Sequence, residues 1–236
     1  MKTFYTFTLA SLFAASTAAA DTSFYASATP MYAFLQGSSL KQSVDLSQGY
    51  SALPLNSTHF HENAPGLAVA AGFENDFNRA FLRTTAELSL FEPSKMSYSP
   101  LYTGNDAPSN TSATLNVQPY VLLAKEYFGV KLTQNMSIAV GGGIGESLIR
   151  NTMSTSNVQP PFNASNLSKT NHHFAYALGA EFDAKISQRT RLLLGYEYLS
   201  LGRVDSNNFV DTSNTATQYS VKNLAANVLY LGIGFG

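Results

Sequence analysis

The sequence predicts an all-β chain: a closed, eight-stranded antiparallel transmembrane β-barrel of up-and-down topology. Three observations lead there. Short stretches alternate large apolar residues with small or polar ones at period two, which gives each strand one apolar face. Past Ala20 no apolar run is long enough to cross a bilayer as a helix. Short and long connections also alternate strictly along the chain. Barrels with short periplasmic turns and long extracellular loops are built this way.

The elements follow in order. Phe24, Ala26, Ala28, Tyr32 and Phe34 suit a first strand. In the second, Leu67, Val69, Ala71 and Phe73 share one face, and Ala68, Ala70, Gly72 and Glu74 the other. Asn75 to Asn78 has the composition of a tight turn. The third strand sets Leu82, Thr84, Ala86, Leu88 and Leu90 against Arg83, Thr85, Glu87 and Ser89, an aliphatic outside over a charged inside. The same pattern assigns Leu115, Val117, Val121 and Leu123 to the outside of a fourth strand, ahead of a turn around 125–134. Ile138, Val140 and Ile144 then alternate with Ala139, Gly141, Gly143 and Gly145. Phe174, Tyr176, Leu178 and Phe182 alternate with Ala175, Ala177, Gly179, Glu181 and Asp183. Leu192, Leu194, Tyr196 and Tyr198 alternate with Leu193, Gly195 and Glu197. The last strand carries Leu229, Leu231, Ile233 and Phe235, yet Leu224, Val228 and Tyr230 make its other face partly apolar too. Segments 75–79, 125–135 and 185–190 are the short connections; 37–63, 92–112, 150–171 and 203–219 are the long polar ones. Pro30 and Pro119 fall inside strands, where each removes a ladder hydrogen bond and predicts a bulge or a strand end.

Residues 1–20 read as a secretory signal peptide: Lys2, an apolar stretch from Phe4 to Ala15, then Ala18, Ala19 and Ala20 as a cleavage site. The barrel domain is then 21–236. Charged residues make up only 12% of the chain and the net charge is -1, which argues against nucleic acid as a partner. There is no Cys, so disulfides, thiolate metal sites and a Cys nucleophile are excluded.

The chemistry-bearing residues are few. Glu74, Arg83, Glu87, Glu181, Asp183, Arg191 and Glu197 form the inward charged set. Paired carboxylates can do acid–base work. In a lumen only wide enough for side chains they are expected instead to form a charge network. Arg83 is expected to be its main positive charge, its guanidinium shared by Glu87 and by Glu181 or Glu197, with Arg191 beside a turn and in reach of water. His59/His61 and His172/His173 sit in or beside long connections with no carboxylate or Cys spacing to complete a metal site. Gly141 to Gly145 lacks the Lys-Ser/Thr of a phosphate loop, Glu146 following instead. It reads as a strand whose inward glycines leave room for bulky neighbours. No cofactor motif, and no Ser-His-Asp order, stands out.

Residues 174–204 resemble the sixth and seventh strands of the opacity-protein/OmpA-like superfamily of small outer-membrane barrels. Leu192, Leu194, Gly195, Tyr196, Tyr198, Leu199 and Gly202 match its L-x-L-G-Y-x-Y-L-x-x-G strand. Ser137 to Gly145 resembles the Gly-rich fifth strand, and Phe81 to Leu88 the third, with its inward Arg and Glu. The resemblance implies a bacterial outer-membrane location with loops on the extracellular side. It implies as partners outer-membrane lipid and lipopolysaccharide, the barrel-assembly machinery during biogenesis, and host or envelope proteins met through the loops. It implies a surface-exposed structural or interaction protein of the adhesin or surface-antigen kind, not an enzyme. The inward excess of carboxylates makes a narrow cation-preferring channel for ions or very small solutes the second expectation. Two features depart from the superfamily: Gly236 follows the terminal aromatic Phe235, and Trp is absent, leaving Tyr and Phe to form the interfacial girdles.

Overall fold

Alternation at period two becomes, among the described residues, ten strands: β1 (Asp21–Asp45), β2 (Phe60–Phe77), β3 (Ala80–Phe91), β4 (Ser94–Tyr98), β5 (Ser112–Lys131), β6 (Met136–Ser156), β7 (Leu167–Lys185), β8 (Thr190–Asp205), β9 (Phe209–Val210) and β10 (Ala216–Phe235). The structure, a computed structural model, describes residues 21–45, 60–98, 112–156, 167–205, 209–210 and 216–236. The expected signal peptide and His59 lie outside them. Eight long strands run β1-β2-β3-β5-β6-β7-β8-β10, and β10 pairs antiparallel with β1, so the sheet closes on itself. The short β4 takes over from β3 along β5, and β9 flanks the start of β10.

Pro119 sits at that hand-over: β3 pairs with β5 as far as Tyr120, and β4 from Val117 onward. Pro30 does not produce the bulge expected of it. Ala28 pairs with Ile233 and Met31 with Tyr230 in one unbroken register, and the shifts come later, around Ser38.

At one end the strands are joined at 78–79, 132–135 and 186–189. Asn78 adopts φ 70°, which an Asn tolerates, and its N–H donates to Asp76 Oδ1 at 3.0 Å. The turn expected around 125–134 is shorter than that. β5 continues to Lys131 because its alternation persists through Lys125, Tyr127 and Gly129. At the other end the strands reach into the expected long connections: β1 runs to Asp45, and β2 starts at Phe60.

The outer surface carries an apolar belt adjoining the short turns. Phe77, Leu132 and Ile186 are exposed at the turns themselves. Above them come Phe73, Val69 and Leu67 on β2, Ile138, Val140 and Ile144 on β6, Leu178, Tyr176 and Phe174 on β7, and Ile233, Leu231 and Leu229 on β10. Soluble proteins do not expose so continuous an apolar surface, and a tilted strand needs about 9–11 residues to cross a bilayer. Leu67 to Phe77 and Met136 to Ile144 have that span, so this surface is built to face lipid.

Beyond the belt the strands invert. On β5, Leu115, Val117, Val121 and Leu123 are at most 2% exposed and point into the barrel, while Leu122 and Phe128 point out. The outward placement expected for the first four is therefore wrong. The reason is a change of solvent: within the belt the outside is lipid, and above it the outside is water, so the apolar face moves to the interior. β8 and β10 switch in the same way. Leu199, Leu201 and Val204 are inward above outward Leu192 and Leu194, and Leu224, Ala226 and Val228 are inward ahead of outward Leu229 to Phe235. The two-faced last strand is such a switch.

Candidate functional site

The lumen has two tiers. The upper tier is an apolar core of inward side chains, among them Leu35, Phe91, Leu123, Ile149, Leu201 and Leu224. The lower tier, inside the belt, holds the charges. Glu74, Arg83, Glu181, Asp183, Arg191 and Glu197 are all buried, and Glu87 is half-buried beside them.

These residues form two ion-pair groups. In the first, Arg83 on β3 meets three carboxylates: Glu74 on the adjacent β2 at 2.9 Å, Asp183 on β7 at 2.5 Å, and Glu181 on β7. Arg191 on β8 reaches across the lumen to clasp both oxygens of Glu74, at 2.8 and 2.6 Å. It is buried, not turned to water as its place beside a turn suggests. The rings of Tyr25 and Phe81 lie 4.1 and 5.1 Å from the Arg83 guanidinium carbon, within cation–π range. The rigid fork of donors on Arg explains how one side chain serves three acceptors.

The second group was not foreseen. Lys125 Nζ lies 2.7 Å from Glu87 and 2.5 Å from Glu197, and the Tyr127 hydroxyl donates to Glu197 at 3.1 Å. Glu87 and Glu197 thus belong to Lys125 and not to Arg83, because β3 pairs with β5 on that side and brings Glu87 opposite Leu123, one step from Lys125. Sequence reasoning missed Lys125 because it ended the strand too early and set Leu123 outward. With Leu123 inward, one further step of the alternation puts Lys125 inward as well. Tyr230 links toward the first group, its hydroxyl donating to Glu181 at 3.1 Å.

Two glycines make the space. A Cβ at Gly143 would lie 2.6 Å from Lys125 Cγ, and one at Gly195 would overlap the Tyr230 ring. Between the tiers a cavity of about 30 Å³ remains, lined by Arg83, Glu87, Lys125, Tyr127, Glu197 and Tyr230 among others. That is room for a water molecule or two.

His172 and His173 do not turn toward one site. His172 lies on the outside with Nδ1 2.7 Å from Glu146, and His173 is the next residue, on the inner side. No group of three or more His, Asp or Glu able to hold a metal occurs among the described residues.

No family profile and no curated sequence matches the chain. Solved structures do. The outer membrane protein OprG from Pseudomonas aeruginosa aligns over 90% of this chain and 94% of its own, with 14% identity and a TM-score of 0.54. The chain has the fold of the small outer-membrane barrels. Neisserial surface protein A aligns over 91% of this chain and 98% of its own at 16% identity and TM-score 0.46. The attachment invasion locus protein of Yersinia pestis aligns over 89% and 97% at 12% identity and TM-score 0.41. At such identities the likeness is one of fold, and the outer-membrane barrel is what it shares.

Proposed function

We propose that this outer-membrane barrel works at the end opposite its short turns, as a surface-exposed structural or interaction protein and not as an enzyme. One observation carries the reading: the lumen is filled at two levels, by ion pairs below and an apolar core above. Its carboxylates are engaged by Arg83, Arg191 and Lys125, which leaves them poorly placed for acid–base catalysis. The chemistry open to variation is then in the long connections, including 46–59, 99–111 and 157–166, which would meet host or envelope molecules. Residues 1–20 would direct export, and lipid with lipopolysaccharide would surround the belt.

The rival reading is a narrow cation-preferring channel. It draws on the excess of Glu74, Glu87, Glu181, Asp183 and Glu197 over Arg83, Arg191 and Lys125 among the described lumen residues. Protease added to intact cells tests the orientation on which the first reading depends. Cleavage should map to the long connections alone. Cleavage at 78–79, 132–135 or 186–189 before the outer membrane is opened would contradict it.

A further inference from the structure

The lipid-facing belt has one region that does not suit lipid. Glu126 is outward and exposed on β5, six residues before Leu132. At about 3.3 Å per residue and a tilt near 40°, that places it about 15 Å from the turn edge, around the middle of a band about 25 Å tall. No hydrogen bond or ion pair of its carboxylate occurs among the described residues. Two other outward polar groups differ: Asn227 accepts from the Tyr196 hydroxyl at 2.6 Å, and Glu146 is paired with His172.

Its neighbours are unusual too. In register, Glu126 lies between Thr84 of β3 and Gly142 of β6. Thr84 is only 6% exposed, yet its hydroxyl has no hydrogen-bond partner. The row directly above reads Ala26, Ala71, Ala86 and Ala124 across β1, β2, β3 and β5, each paired with the next. On a belt made mostly of Leu, Ile, Val, Phe and Tyr, this is a shallow trough of small side chains beside an unpartnered carboxyl and a buried, unpartnered hydroxyl.

We propose that this trough is a self-association face, occupied by a second copy of the chain. An ionisable group facing hydrocarbon needs a partner, and small residues let transmembrane backbones approach closely while polar groups hold them together. A partner must offer a polar group at the same depth. A second copy related by a two-fold axis along the membrane normal does so automatically, because it carries Glu126 and Thr84 at the same level. The two Glu126 side chains then meet at one depth, where a carboxyl of one copy can hydrogen-bond to that of the other. The inference rests on the outer surface facing lipid.

The chain has no Cys, so single cysteines report cleanly. Refolded into phospholipid vesicles, Ala124→Cys should form disulfide-linked dimers on mild oxidation, and Leu194→Cys, elsewhere on the belt, should not. Adding Glu126→Leu should weaken dimerisation about three- to twentyfold, as loss of an intramembrane hydrogen bond does, while Glu126→Gln, which still donates and accepts, retains it. The heat-dependent gel shift reports insertion separately. A chain that fails to insert contradicts the membrane reading. An inserted chain that stays monomeric, or that cross-links equally through both cysteines, overturns the proposal.

Discussion

Arg83 and Lys125 each hold a separate set of carboxylates, and this partition makes distinct predictions for single residues. Removing one partner of a buried ion pair leaves uncompensated charge and costs about 3–5 kcal/mol. Arg83→Met should therefore lower stability by that order, whereas Lys95→Met, on the exposed rim, should change it little. Asp183→Asn should recover part of the Arg83→Met loss. Glu87→Gln should not, because Glu87 is bound to Lys125; it should instead recover part of a Lys125→Met loss. Urea unfolding in lipid vesicles, read as double-mutant cycles, measures each of these. Apart from Lys125, the inward charged residues were legible because each lies on a strand whose opposite face is aliphatic. Their partners were not. Pairing across the lumen, as between Arg191 and Glu74, depends on register and barrel closure, which no local pattern carries.

At the scale of the strand, the outcome turned on where each one leaves the membrane. The lower halves of β2, β3, β6, β7 and β8 were legible, since alternation with a lipid outside is unambiguous. The upper half of β5 was not, because Leu115 to Leu123 show the same period in either phase, and only the position of the belt decides which face is wet. The switch predicts position-dependent tolerance. Val140→Lys, on the belt, should cost about 2–4 kcal/mol. Thr170→Lys, outward on β7 above it, should cost near zero. Leu201→Ala, in the upper core, should cost about 2–5 kcal/mol as a buried cavity. The glycines belong to this scale as well. Gly195→Val should destabilise the barrel by displacing the Tyr230 ring, and Tyr230→Ala should relieve much of that cost when the two are combined. The folded fraction on unheated gels against urea concentration reads each of these.

For the molecule as a whole, two facing solvents and one closed sheet account for the architecture. The apolar belt beside the short turns faces lipid. The charged tier fills the lumen inside that belt, and the apolar tier fills it where the barrel rises into water. The fold class was legible from alternation and connection lengths together. The filling of the lumen was only half legible, because its upper tier was assigned to the outside. That filling is what separates a surface protein from a channel, and it is tested most directly by planar-bilayer recording of the refolded chain. The account predicts no steady conductance from the wild type, and conductance only once the upper core is hollowed, as in Leu123→Ala with Leu201→Ala. A stable, cation-selective conductance from the wild type would contradict it.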